Sequence, residues 1–224
     1  MIIKIINEKA TIMIKNYSEL PINRYLEIKD LINDDCEPLD LQVKLVSILD
    51  GRSEEDVLNM NINDYHALVQ QTNFLMELPK PSKNVPNKLT INGKKYSIQK
   101  DVSKFTTAQY IDYQTFTTRD DREKLLPYIL CCFIVPDGKR YNDGYDIGEV
   151  ANEIGGYLST QDAVNVCFFF QKKYLSLLND TLIYLDWKTR KMKRKTKDET
   201  TKKTLEEALV KMKTLRALLE NGTT

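Results

Sequence analysis

The run Ser159–Trp187, STQDAVNVCFFFQKKYLSLLNDTLIYLDW, limits most strongly what this chain can fold into. Ser159, with Asp162 three residues on, is an S-x-x-D capping signal. Ala163, Val166, Phe170, Tyr174, Leu177 and Leu178 then recur at helical spacing. Val164, Cys167, Phe168 and Phe169 widen that stripe until little of the first half is polar. A helix that is apolar nearly all round is covered on most sides. The run therefore predicts the central helix of an α-rich domain.

Around it the pattern predicts a mainly α protein with small β-hairpins, an α+β fold. Ile2, Ile3, Ile5 and Ile6, then Thr11, Ile12, Met13 and Ile14, flank the polar Asn7–Ala10 and read as a hairpin. Pro21 opens a helix carrying Tyr25, Ile28, Leu31 and Ile32, and Asp34-Asp35 ends it. Pro38 starts a second, with Leu41, Leu45, Ile48 and Leu49 as its stripe and Gly51 as its stop. Ser53 and Asp56 form a capping box for a third. Asn63 or Asp64 is expected to cap a fourth, carrying Tyr65, Leu68, Val69, Phe74 and Leu75. The segment PKPSKNVPNK, residues 79–88, reads as an extended linker and places a domain boundary there.

Leu89–Ile98, LTINGKKYSI, is a hairpin signal, with Asn92-Gly93 suited to the positive φ of a type I′ turn. Thr106 or Thr107 caps the next helix, with Tyr110, Ile111, Tyr113 and Phe116. Lys124–Val135 reads as an apolar helix stopped by Pro136, with a buried strand over Ile129–Val135 as the alternative. Asp146 caps a helix to Tyr157. The expected organisation is thus a hairpin and helical bundle over 1–78, the linker 79–88, a hairpin-plus-helices domain over 89–187, and a basic tether with a terminal amphipathic helix over 188–224. Leu205, Leu209, Met212, Leu215, Ala217, Leu218 and Leu219 form the stripe of that last helix.

Composition sets the partner classes. Thirty-three Lys and Arg face 32 Asp and Glu, a net charge of +1, so no global field steers the chain toward nucleic acid or membrane. No apolar run approaches the roughly 18 residues of a membrane span. The opening MIIKIINEKATIMIK is interrupted by Asn7, Glu8 and Lys9 and makes no signal-peptide core, so synthesis in the cytosol is expected. The four cysteines include no C-x-x-C pair; Cys131, Cys132 and Cys167 lie in apolar runs and read as buried thiols of a reducing compartment.

Chemistry-bearing patterns are sparse. The single histidine, His66, has no evident acid–base partner and reads as a surface residue. There is no G-x-S-x-G elbow and no glycine-rich phosphate loop. Asp143, Asp146 and Glu149 could gather about a cation, but the loop fails the D-x-[DN]-x-[DN]-G pattern, and a turn with a helix cap accounts for them equally. No catalytic residue, cofactor or metal is therefore expected. Lys188–Lys197, KTRKMKRKTK, is the one strongly basic run. Lys188, Arg190, Lys191, Lys193, Arg194, Lys195 and Lys197 are candidate contacts to nucleic-acid phosphates, nonspecific and salt-sensitive. The competing reading is a solvated linker balanced by Asp198, Glu199, Glu206 and Glu207.

Two stretches carry a resemblance. Asp40–Pro79 runs from a helix ending in I-L-x-G through S-E-E-D-V-L and an N-D-Y helix to F-L. It resembles the helical segment of phage tail-assembly chaperones and related tail proteins, with Gly51, Ser53, Tyr65, Phe74 and Leu75 at matching places and Asp50 where threonine is usual. Leu89–Leu185, with INGKKY, FTTAQYIDYQTF and a late FFF helix, is similar to virion or tail-region proteins of Bacteroidetes phages, including the crAss-like group. The resemblance implies a non-enzymatic structural protein of a tailed phage, made in the host cytoplasm and located in the virion at the tail or head–tail region. It would act as a connector, ring or packaged protein, with portal, tail or tail-tube proteins and further copies of itself as partners, possible nonspecific DNA contact and no membrane. A tail-assembly chaperone absent from the finished particle and a nonspecific nucleic-acid-binding accessory protein are the alternatives. Ile3, Ile5, Ile12 and Ile14 of the first hairpin, and Leu209, Met212, Leu215 and Leu218 of the last helix, are the candidate assembly contacts.

Overall fold

In the computed structural model, which describes residues 13–34, 36–82 and 84–221 and side chains as far as residue 217, helices dominate and one small antiparallel sheet accompanies them. The fold is mainly α with a β-hairpin, as expected. The chain divides into two compact units, Met1–Cys167 and Phe168–Thr224.

The first unit begins with four helices: α1 (Ile22–Asn33), α2 (Pro38–Asp50), α3 (Glu54–Leu58) and α4 (Ile62–Gln71). Pro21 and Pro38 sit at the helix starts, where the missing N–H costs nothing. Gly51 ends α2 at φ 76°, a left-handed conformation that a side chain would strain. Ser53 and Asp56 close a reciprocal capping box on α3. The cap of α4 is Asn61, not Asn63 or Asp64: its side chain accepts from the Asn63 amide, which draws the helix start two residues earlier. Phe74 and Leu75 fall in a 3₁₀ turn, Thr72–Met76, beyond α4. Met13, Leu20, Ile28 and Leu49 are buried together, with Tyr17 set edge-on to Phe74 at 5.1 Å. The expected hairpin over residues 2–14 lies outside the described residues except for Met13 and Ile14, and the Ile14 amide donates to the Leu49 carbonyl at 3.1 Å.

Segment 79–88 does not divide the chain. The Ser82 amide donates to Asn165 Oδ1 at 2.7 Å, and Gln161 Nε2 donates to the Lys80 carbonyl at 2.8 Å. Its prolines report extended backbone, and polar side chains of a neighbouring helix hold that backbone in place. Beyond it, β1 (Lys88–Ile91) and β2 (Lys94–Ile98) pair through a turn at Asn92 (φ 48°) and Gly93 (φ 75°). A third strand, β3 (Ile134–Pro136), adds to β2, with Ser97 opposite Val135. The apolar helix expected over Lys124–Val135 is therefore short. Helix α6 covers Leu126–Cys131, and β-branched Ile134 and Val135 are taken up by the open edge of β2.

Helix α5 (Thr107–Thr117) is capped by Thr106, and its Gln109 is fully buried. Gln109 Nε2 donates to Gln99 Oε1 at 2.9 Å and to the Cys132 carbonyl, while its Oε1 accepts from the Thr106 amide at 3.3 Å. One carboxamide thus ties the start of α5 to the end of β2 and the end of α6. Helix α7 (Ile147–Tyr157) is capped by Asp146, as expected, and packs on α1 and α6. At Gly155 an added Cβ would fall 2.4 Å from Oδ1 of the exposed Asn23, so α7 approaches α1 closely enough that a methyl group there would push the Asn23 side chain aside. Helix α8 (Thr160–Lys195) begins within this unit, with Ser159 Oγ accepting from the Asp162 amide at 3.1 Å. Ala163 and Val166 are buried.

Glu153 of α7 anchors the hairpin. Its side chain is only 9% exposed and accepts from Tyr96 Oη, from Lys94 Nζ at 3.0 Å and from Asn92 Nδ2 at 3.3 Å. Burial works to raise this carboxyl, but the three hydrogen bonds outweigh it and hold it below the ordinary glutamate value. A carboxyl depressed in the folded state stabilises above its unfolded value, near pH 4.3, and that contribution is lost as pH falls through the folded value. Glu153→Gln is expected to lower the melting temperature at pH 7 and to approach the parent below about pH 4. Thermal melts of both proteins between pH 7 and 3 read this, and a gap independent of pH would refute it.

Candidate functional site

The second unit is a helical hairpin. Lys, Arg and Met are good helix formers, and cations complement the negative end of a helix dipole. The basic run accordingly continues α8 as far as Lys195, and the expected tether shrinks to Thr196–Asp198. Helix α9 (Glu199–Asn221) then runs back antiparallel. Asp198 starts it, accepting from the Thr201 amide at 2.7 Å. Leu175, Leu178 and Leu182 of α8 and Leu205, Ala208, Leu209 and Met212 of α9 are half-buried, and a cavity of about 120 Å³ lies between Leu182, Asp186 and Met212. Thr189 is buried on the same face.

This packing sorts the predicted cations into two sets. Arg190 Nε lies 2.7 Å from Asp186 Oδ2, and Lys193 Nζ bonds Glu206 across the hairpin. Both are spent inside the unit. Lys188, Lys191, Arg194, Lys195 and Lys197 are exposed and carry no ion pair among the described residues. Lys188 Nζ lies 5.9 Å from the Tyr184 ring centre and Lys191 Nζ 4.9 Å from that of Trp187. The two rings are 6.1 Å apart, tilted by 34°, and 55% and 56% exposed. The charge run alone points to the lysines; it does not show that two aromatic rings share their face.

Of the predicted assembly contacts, Ile3, Ile5 and Ile12 lie outside the described residues, as does the Leu218 side chain. Ile14 is half-buried against the first unit's core. Leu209 and Met212 are half-buried within the hairpin, and Leu215 is exposed.

Other groups offer less. A cavity of about 600 Å³ is lined by Gln99, Lys100, Asp101, Lys104, Thr106, Gln109, Arg140 and Tyr141. Its polar groups are largely engaged: Gln109 as described, Tyr141 Oη donating to Asp112 at 2.8 Å, and Lys104 facing Asp101 at 3.5 Å. The Asp146 carboxylate accepts from the Gly148 and Glu149 amides, so it acts as a helix cap. His66 is exposed beside Tyr65. Burial pushes the Cys131 and Cys132 thiols up, Cys132 to about 12, and Cys167 to about 11. None of these three presents a thiolate at neutral pH.

No family model matches the chain, and neither a curated protein nor a solved structure does.

Thiol accessibility tests this arrangement. Cys36 is expected to react first with a maleimide in the native protein, and all four cysteines only after denaturation. Labelled-peptide mass spectrometry identifies the site, and early modification of Cys131 or Cys132 would contradict their burial.

Proposed function

We propose that this protein is a non-enzymatic structural protein of a tailed phage, acting in the portal, head–tail connector or tail region through its helical hairpin. The phage setting rests on the resemblance of Asp40–Pro79 and Leu89–Leu185. The binding role is carried by one observation: a hairpin unit of its own that leaves large apolar side chains in the open. Tyr174, Leu177, Leu185, Met192, Val210 and Leu215 are all exposed on it. Uncovered apolar side chains mark a contact surface where they adjoin, as Tyr174 and Leu177 do one turn apart on α8. A repeated subunit multiplies one modest contact around a closed ring.

Light scattering on the full chain tests this reading. A discrete oligomer is expected, and Val210→Glu with Leu215→Glu should shift it toward monomer with the helical circular dichroism unchanged. Mass spectrometry of purified particles of the encoding phage separates the two assembly roles. A structural protein is present in them, and a tail-assembly chaperone, the second reading, is absent. A monomer missing from the particle would overturn the structural reading.

A further inference from the structure

Helix α8 has a face that the hairpin does not use. Tyr184, Trp187, Lys188, Lys191, Arg194 and Lys195 follow at i, i+3, i+4, i+7, i+10 and i+11, and so lie on one side of the helix. They span about 16 Å of helix axis. All six are exposed. The opposite side, with Leu182, Asp186, Thr189 and Lys193, is turned to α9.

Glu207 apart, which is exposed on α9, the acids near this face are accounted for. Asp180 stands one turn before Tyr184 and marks the N-terminal limit of the stripe. Asp186 is paired with Arg190, Glu206 with Lys193 and Glu199 with Lys202. Asp198 caps α9. Among the described residues four cations therefore stand together without a carboxylate partner, although the whole chain carries a charge of only +1. Such a face selects a polyanion. Beside the cations, two half-exposed rings within 6.1 Å of one another offer flat apolar area. Phosphate charge and an accessible π-face occur together in a single strand, whereas a duplex keeps its bases stacked away.

We propose that this face of α8 binds single-stranded nucleic acid without sequence preference. Lys188, Lys191, Arg194 and Lys195 take the phosphates, and Tyr184 and Trp187 stack on bases. The proposal stands independently of the phage assignment, because it rests on this face alone.

Trp187 is the sole tryptophan of the chain, so its fluorescence reports the site directly. Titrating the full-length protein with an oligothymidylate is expected to quench it saturably, with affinity falling steeply as salt rises. A duplex of the same length should bind more weakly. Lys188→Gln, Lys191→Gln, Arg194→Gln and Lys195→Gln together should weaken binding by about a hundredfold or more, about threefold or more per cation, with the helical circular dichroism intact. Arg190→Gln with Lys193→Gln, which removes an equal charge per residue from the hairpin side, should change it by less than about twofold per cation. The proposal is overturned by an unquenched Trp187, by tighter binding of duplex, or by equal loss per cation in the two variants. It is also overturned if anionic lipid vesicles, and not the oligonucleotide, shift the Trp187 emission.

Discussion

A short seam between residues far apart in the chain holds the first unit together. Pro21 and Ser159 form an isolated antiparallel bridge. The Ile22 amide donates to the Leu158 carbonyl at 3.2 Å, and the Thr160 amide donates to the Leu20 carbonyl at 2.7 Å. Thr160 Oγ1 reaches the same carbonyl at 2.8 Å. Each bond is worth only about 1 kcal/mol net, but an unmade one would leave a buried amide or carbonyl stranded at a larger cost. Leu20, Ile22 and Leu158 are themselves buried there. The seam takes up the first orphan amide of α1 and the break between α7 and α8 at once. The helices before the proline-rich segment thereby share a unit with α5, α6, α7 and the start of α8.

Local signals in the sequence carry most of the elements. Helix caps at Ser53, Thr106, Asp146 and Ser159, the stop at Gly51 and the turn at Asn92-Gly93 depend on residues within four positions of each other, and the structure has them all. Apart from the cap of α4, which is Asn61 and not Asn63 or Asp64, what fails depends on distant partners. Ile134 and Val135 become strand because β2 offers an edge, which no local window contains. Segment 79–88 has linker composition, yet Gln161 and Asn165 lie some eighty positions later in the chain. The hub at Gln109 is invisible for the same reason: its capping role is local, but its bonds to Gln99 and Cys132 are tertiary.

At the hairpin the legibility is divided differently. The basic residues stand out in composition, and the amphipathic stripe of α9 follows from its period. The partition of the cations does not. Arg190 and Lys193 are spent against Asp186 and Glu206 only because α9 folds back on α8, and the remaining cations acquire a common face only because the helix runs through to Lys195. A tether would have scattered them. Helical continuity, supplied by ordinary helix-forming residues, turns a charge count into a surface with a direction.

The Asn92-Gly93 turn carries a chemical cost with time. Without a side chain at Gly93, the backbone amide that follows Asn92 can attack the Asn92 carboxamide with little steric hindrance, losing ammonia to give a succinimide. Its hydrolysis leaves aspartate or isoaspartate. In this protein the Asn92 carboxamide donates to Glu153, which also receives Tyr96 and Lys94. Ageing of that one residue, exposed in the turn, would replace a donor with a second carboxylate facing the mostly buried Glu153. The turn that joins β1 to β2 is thus also where the hairpin's contact with Glu153 is open to ageing.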